Sequence, residues 1–256
     1  MEMTKAQRKR LASLSTNKGR RELGLFTAEG TKCVLETVGS FRVEALLATA
    51  DWIAAHASLL AAGVVAEEVR RADLVEISSL STPPDVIAVY QIPEIPFHAP
   101  KAAELSLALD RIQDPGNLGT IIRIASWMGI KDIYCSRDTV DIYNPKVVQA
   151  TMGAISRVRV HYTDLPELLA EAKACGITVY GTFLNEKNIY ETELTPGGII
   201  VMGNEGSGIS DAVGRQIDRR LFIPSYPPGQ PAIESLNVSV ATAITVAEFR
   251  RRKYHT

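Results

Sequence analysis

Three segments in the second half of this 256-residue chain each carry a strand into a helix through Asn, Gly, Ser and Pro. They are LDRIQDPGNLGTIIRIASWMGI from Leu109, IIVMGNEGSGIS from Ile199 and FIPSYPPGQPAIESLNVSVATAI from Phe222. Open α/β sheets gather ligands at the carboxyl ends of their strands, so three such exits in one domain point to one composite pocket. The rest of the chain has to build the sheet that brings them together.

The length suits one large domain or two small ones, each able to bury a hydrophobic core. Hydrophobic residues make up 46% and charged residues 22% of the chain, which excludes a disordered or fibrous protein. No apolar run reaches the roughly 18 residues needed to cross a bilayer, and the opening MEMTKAQRKRLASL lacks the apolar core of a secretion signal, so a cytoplasmic protein is expected. Cys33, Cys135 and Cys175 are odd in number and far apart, which fits reduced thiols better than a disulfide framework. His56, His98, His161 and His255 are scattered, with no CxxC, HxH or HExxH grouping, and chemistry without a protein-bound metal is expected. The net charge of −1 gives the whole protein no strong pull on polyanions. Its ends differ, with Lys5, Arg8, Lys9, Arg10, Lys18, Arg20 and Arg21 near the start and Arg250, Arg251, Arg252 and Lys253 near the finish. Both clusters read as solvated helix faces or as phosphate contacts.

Residues 4–24 have a basic helical pattern, followed by a short strand running into a helix near Gly30. Strands at 43–48 and 86–91, helices near 51–62 and around Asp73, and a short apolar run at 64–65 complete a small layered unit. Pro93, Pro96 and Pro100 then fall close together; each removes a backbone donor and holds its predecessor extended, which reads as a linker over 93–103. Beyond it, strands are expected at 105–110, 132–135, 158–161, 178–182, 199–202 and 221–223, with helical patterns between most of them. Such alternation implies a mainly parallel sheet covered on both faces. The expected class is α/β, with a small α/β domain over 1–92 and a mainly parallel-sheet domain over 104–256.

In the first segment Pro115 and Gly116 set a turn, Asn117 is able to cap a helix over 118–128, and Arg123 sits among Ile121, Ile122, Ile124 and Ala125. Asn117 is therefore either a cap or a functional group. Arg123 needs either an anionic partner or a route to solvent. The second segment follows its strand with Gly203, Asn204, Glu205, Gly206, Ser207 and Gly208. This GxxGxG spacing matches neither a dinucleotide-binding turn nor a phosphate-binding loop. In the third, Ser235 is suited to cap an apolar, buried helix, and Asn237 is a poor helix former inside its first turn.

Taken together, DPGNLGTIIRIA, VMGNEGSGIS and IP…ESLNVSVATA closely resemble the three motifs of the SpoU, or TrmH-type, RNA 2′-O-ribose methyltransferases of the SPOUT superfamily, in the same order. The resemblance covers about residues 107–252, and the N-terminal half is similar to the substrate-binding domain that precedes the catalytic domain in many members. It implies a C-terminal segment threaded through a deep trefoil knot, a homodimer with active sites at the subunit interface, and S-adenosyl-L-methionine as cofactor. By the same motifs Asn117, Arg123, Glu205, Ser235 and Asn237 occupy the family's catalytic positions, and Thr182, Gly203, Ile223, Pro224 and Leu236 its cofactor-binding positions. Lys5, Arg8, Lys9, Arg10, Lys18, Arg20 and Arg21 become candidate RNA contacts. One departure is the stretch SYPPGQPAIE between Pro224 and Ser235, longer than the family's usual loop, so cofactor contacts are not carried over onto residues 225–234.

The implied reaction is attack of a ribose 2′-hydroxyl on a sulfonium methyl group, with no metal and no membrane involved. Arg123 is the family's candidate base, although an arginine is a poor base at neutral pH without help from its site or from an RNA phosphate. Ribosomal RNA is the expected substrate, because members built with this N-terminal domain mostly act on it. The alternatives are a tRNA 2′-O-methyltransferase and a noncatalytic RNA-binding or ribosome-assembly factor. A nicotinamide oxidoreductase would need a GxGxxG turn where DPGNLG stands.

Overall fold

The computed structural model describes residues 3–58, 63–227 and 235–253. In chain order the elements are α1 (Lys5–Ala12), α2 (Asn17–Leu23), β1 (Leu25–Glu29), α3 (Thr31–Thr37), β2 (Val43–Ala48), α4 (Ala50–Ala55), β3 (Glu67–Glu68), α5 (Arg71–Ile77) and β4 (Val86–Gln91). There follow β5 (Leu105–Asp110), α6 (Pro115–Trp127), β6 (Asp132–Ser136), α7 (Pro145–Thr151), β7 (Arg159–Thr163), α8 (Leu165–Ala174), β8 (Val179–Asn188), β9 (Gly198–Gly203), α9 (Asp211–Gly214), β10 (Arg219–Phe222) and α10 (Val238–Lys253). The chain divides into two units, Met1–Glu94 with Asp141–Ser156, and Ile95–Val140 with Arg157–Thr256.

The first unit holds a four-stranded sheet in the order β1-β4-β2-β3, antiparallel except between β2 and β3. Leu47, Val69, Leu74, Ile77 and Ile87 form part of its core, and Leu14, Leu25 and Val89 another part. Asp141–Ser156 belongs here because its side chains complete this core. Tyr143 packs on Phe26 at 4.7 Å, and Asp141 Oδ2 accepts from Arg20 Nε and Nη2 at 2.9 and 2.6 Å. The continuous boundary expected near residue 92 therefore describes this unit only in part. The expected helix near 51–62 is Ala50–Ala55 within the described residues, and 59–62 lie outside them.

The second unit holds six strands in the order β10-β8-β9-β5-β6-β7, with every neighbouring pair parallel. The central strand β5 is buried at all its positions, as expected of a parallel strand covered on both faces. Helices follow the strands with strong start signals. Asp114 caps α6 and Asp164 caps α8, each with Pro in the first turn, where the missing N–H costs nothing. One face of the sheet buries Leu165, Leu168, Leu169 and Ala172 of α8 against Ala108, Val179, Ile199 and Val201. The chain leaves β5 toward β6 and later returns to β9 on the other side. This creates a switch point between β5 and β9, where α/β sheets open a crevice.

The Pro-rich stretch is less of a linker than expected, since from Ile95 onward it belongs to the second unit. Tyr134 Oη donates to the His98 carbonyl at 2.7 Å, and Phe97 meets His161 edge-on at 5.5 Å. At the same amino edge of the sheet Asp132 accepts from Arg159 at 2.7 and 2.6 Å and lies 2.9 Å from His161 Nε2. Burial pushes the Asp132 carboxyl up, but hydrogen bonds from Arg159 and His161, with their charge, hold it below the usual carboxylate range. A depressed carboxylate stabilises the fold above its unfolded pKa, near 4, and that stabilisation disappears as pH falls through the lower folded value. Urea midpoints of wild type and Asp132→Asn should therefore differ most at neutral pH and converge below about pH 4; a gap that widens in acid would contradict this account of the cluster.

Candidate active site

The carboxyl edge of the parallel sheet brings together residues from all three segments. Asp114, rather than Asn117, caps α6, its Oδ1 accepting from the Asn117 N–H at 2.8 Å. The side chain of Asn117 is thereby left for other work. Its Nδ2 donates to Glu205 Oε1 at 2.5 Å, and its Oδ1 accepts from Asn237 Nδ2 at 2.9 Å. Asn237 is in turn the cap of α10. Its Oδ1 accepts from the Ser239 N–H at 3.0 Å and the Ser239 hydroxyl at 2.6 Å, and its carbonyl accepts from the Ala241 N–H. Ser235, expected to be this cap, lies two residues upstream, exposed and without a hydrogen bond to the described residues.

The direction of this chain of bonds follows from its ends. A carboxylate only accepts, so Glu205 turns the Asn117 amide with its nitrogen inward. At the other end the helix offers only N–H donors, which turn the oxygen of Asn237 toward α10 and leave its nitrogen for Asn117. The relay Glu205–Asn117–Asn237 thus has one consistent orientation, and each bond polarises the next.

Glu205 is held in place by its neighbour Asn204, which the sequence reading did not single out. Asn204 Oδ1 accepts from the Gly206 and Ser207 N–H groups at 3.0 and 3.1 Å, while its Nδ2 donates to the Arg111 carbonyl at 2.9 Å. The loop closes as Asn204 and Gly208 exchange backbone hydrogen bonds. Its far end is pinned where buried Asp110 accepts from the Ser210 N–H at 2.6 Å. Gly203 is required by close approach, for a Cβ there would overlap the backbone of Gly208 and Ile209. Asn204 was legible in principle: an Asn just past a strand and two residues before a Gly favours a turn through its own side chain.

The remaining candidates lie on β8, just past β10, just before α10 and on α6. Thr182 lies in β8 where its pairing with β10 jumps from Gly181 to Lys187, and its hydroxyl is 3.6 Å from Met202 Sδ. Ile223 and Pro224 are half-buried just past β10, and Leu236 is exposed before α10. Of the lengthened segment 225–234, residues 228–234 lie outside the described residues. Arg123 is exposed on α6 and makes no hydrogen bond or ion pair with the described residues, so the relay does not include it.

The basic N-terminal set divides. Lys5, Lys9, Arg10, Lys18 and Arg21 are exposed, with Lys18 3.7 Å from Glu22. Arg20 is corrected as an RNA contact, because it is only 2% exposed and held by Asp141 and the Leu14 carbonyl. Arg8 is corrected likewise, since it bridges Asp73 and Glu76 at 2.9 and 2.8 Å. At the C-terminus Arg251 and Arg252 both bind Glu248, and Arg252 also donates to the carbonyls of Ile189 and Tyr190; these are framework contacts. Among the described residues no group of three His, Cys, Asp or Glu is placed to hold a metal, and no helix is long and apolar enough to cross a membrane.

Comparison with known proteins identifies relatives of both halves of the chain. The SpoU rRNA Methylase family model covers residues 104–247, and an MRM3-like substrate binding domain covers 5–88. The 23S rRNA (guanosine(2553)-2′-O)-methyltransferase RlmP of Bacillus subtilis is 36% identical over 175 residues, 68% of either chain. An RNA methyltransferase of the TrmH family from Porphyromonas gingivalis superposes with a TM-score of 0.84 at 38% identity, over 98% of this chain and 99% of that one. The AdoMet-bound rRNA methyltransferase from Sinorhizobium meliloti gives 0.84 at 28% identity, over 98% of both chains.

If Asn204 organises the loop, Asn204→Ala should speed amide hydrogen exchange at Gly206 and Ser207 by roughly tenfold, the equivalent of one lost hydrogen bond. Unchanged exchange at both amides would show that the glycines hold the loop without it.

Proposed function

This chain belongs to the SpoU rRNA methylase family, and on that premise we propose that it transfers a methyl group from S-adenosyl-L-methionine to a ribose 2′-hydroxyl of ribosomal RNA. The observation that carries the reading is the relay Glu205–Asn117–Asn237, in which one residue from each of the three segments meets at the sheet's carboxyl edge. Support for ribosomal RNA comes from the name of the Bacillus subtilis relative, a 23S rRNA 2′-O-methyltransferase, and from the substrate-binding domain matched over 5–88. The place of action is the cytoplasm.

The residues present fit the cofactor. Half-buried Ile223 and Pro224 and exposed Leu236 supply apolar side chains suited to a purine. Gly203 ends its strand without a side chain and so lets the backbone of Gly208 and Ile209 close up against it, which shapes the loop at the strand exit, and Thr182 adds a hydroxyl. When bound, S-adenosyl-L-methionine supplies a methyl group already activated by its positively charged sulfur. The work left to the chain is alignment and proton removal. Asn117 and Asn237 orient the ribose, Glu205 fixes Asn117, and Ser235 lies two residues before Asn237 to add a hydroxyl contact. An exposed Arg123 acts best by holding an RNA phosphate next to the reacting hydroxyl, whose proton passes to a phosphate oxygen or to water as its oxygen takes the methyl group.

The working form is a homodimer with a knotted C-terminal segment. α6 and α10 run side by side and parallel, joined at their starts by Asn117–Asn237 and at their ends by Arg250 Nε donating to the Met128 carbonyl at 2.8 Å. They leave Arg123, Trp127 and Val240 exposed, with Trp127 88% exposed. An apolar residue of that size on a helix next to the site suits cover by a second copy.

Tritium transfer from labelled cofactor into ribosomal RNA from a strain lacking the gene tests the assignment. Arg123→Ala should lower turnover at saturating RNA and cofactor by at least about a hundredfold. Near-wild-type turnover would refute an essential Arg123, and a loss confined to RNA affinity would make it a phosphate clamp only.

A further inference from the structure

We propose that Arg111 grips an RNA phosphate beside the methyl-transfer site, an inference that rests on the RNA methyltransferase reading above. Arg111 is the first residue past β5, at the switch point between β5 and β9. Its φ is +59°, in the left-handed region where Gly or Asn is favoured and a side chain with a Cβ is strained. Its backbone is fully used. The N–H donates to Ser136 Oγ at 2.8 Å and the carbonyl accepts from Asn204 Nδ2 at 2.9 Å. A glycine would make both bonds without strain, so the backbone role does not explain an arginine.

The guanidinium is under-used. Nε is buried and makes no hydrogen bond, pairing only through charge with Asp110 Oδ1 at 3.6 Å, while the other oxygen of Asp110 is committed to the Ser210 N–H. A single long hydrogen bond, 3.4 Å from Nη2 to the Gly208 carbonyl, ties the head group to the loop that carries Glu205. A third of the side chain remains exposed. Five donors that share one long hydrogen bond and one ion pair at 3.6 Å leave most of the fork unsatisfied in a partly buried place, and a phosphate, with its several oxygens, is the ligand that satisfies a planar guanidinium best. Arg137, exposed immediately after the neighbouring strand β6, adds a second cation at the same edge. Arg111 and Asn117 are tied to the same loop, Arg111 through the Gly208 carbonyl and Asn117 through Glu205, so a phosphodiester held here lies on the loop that carries the relay.

The test is Arg111→Gly, which keeps the left-handed backbone and both of its hydrogen bonds. With deproteinised ribosomal RNA from a strain lacking the gene, its KM for RNA should rise roughly tenfold. The slope of log affinity against log salt should shrink by about one contact, with cofactor affinity at the wild-type value. Arg111→Lys should recover part of the RNA affinity. Wild-type RNA affinity and salt slope in the glycine variant would overturn the proposal, as would lost cofactor affinity, which would place Arg111 in the framework. A wild-type protein that neither binds nor methylates RNA would overturn the functional reading as well, so the two failures are distinguishable.

Discussion

A side-chain amide donates and accepts at once, and Asn117 uses both capacities to join segments 88 and 120 residues away in the chain. That is possible only because Asp114 relieves it of capping α6. Everything else at the carboxyl edge can be understood as keeping the two partners of this amide in reach. β9 must end beside β5 so that Glu205 arrives on one side, and α10 must start beside α6 so that Asn237 arrives on the other. The parallel sheet meets the first demand through its strand order, and the capping of α10 by Asn237 itself meets the second.

The loop between β9 and α9 shows how backbone and side chain divide this labour. Glycines at 203 and 208 allow the chain to fold back on itself, one by close approach and the other by a φ of +67°. Glycine alone would leave the loop loose, since it gains as much freedom in the unfolded chain as it permits in the folded one. Asn204 and Asp110 supply the restraint, each from a strand end, and the price is a strained Arg111 at the anchor point.

Much of this was legible in the sequence. Residues 43–48, 86–91 and 105–110 coincide with strands β2, β4 and β5, because strands buried over most of their length, as β4 and β5 are, read as short apolar runs, and β2 does so over its buried second half. The choice left open at Asn117, cap or functional group, is decided locally. Asn117 is a competent N-cap, but Pro115 sits in the first turn and makes its predecessor Asp114 the cap of α6, and at α10 the cap is Asn237 and not Ser235. What the chain could not reveal locally depends on distant partners. Arg20 looks like any surface arginine until Asp141, 121 residues on, is placed against it. The strand β3 is Glu67–Glu68, not the apolar pair at 64–65, because two charged residues on a sheet edge are tolerated where pairing runs on one side only. The break in β8 pairing at Thr182 likewise answers to β10, some 40 positions further along.

The account stands on transfer to the ribose hydroxyl and not to a base, and alkali tests this directly. RNA is cut by its own 2′-hydroxyls, and a 2′-O-methyl group protects the bond that follows it. After tritium transfer to ribosomal RNA by the purified protein and complete alkaline hydrolysis, label should be recovered in an alkali-resistant dinucleotide. Label in mononucleotides would mean base methylation and would contradict the reading of the site as a 2′-O-methyltransferase.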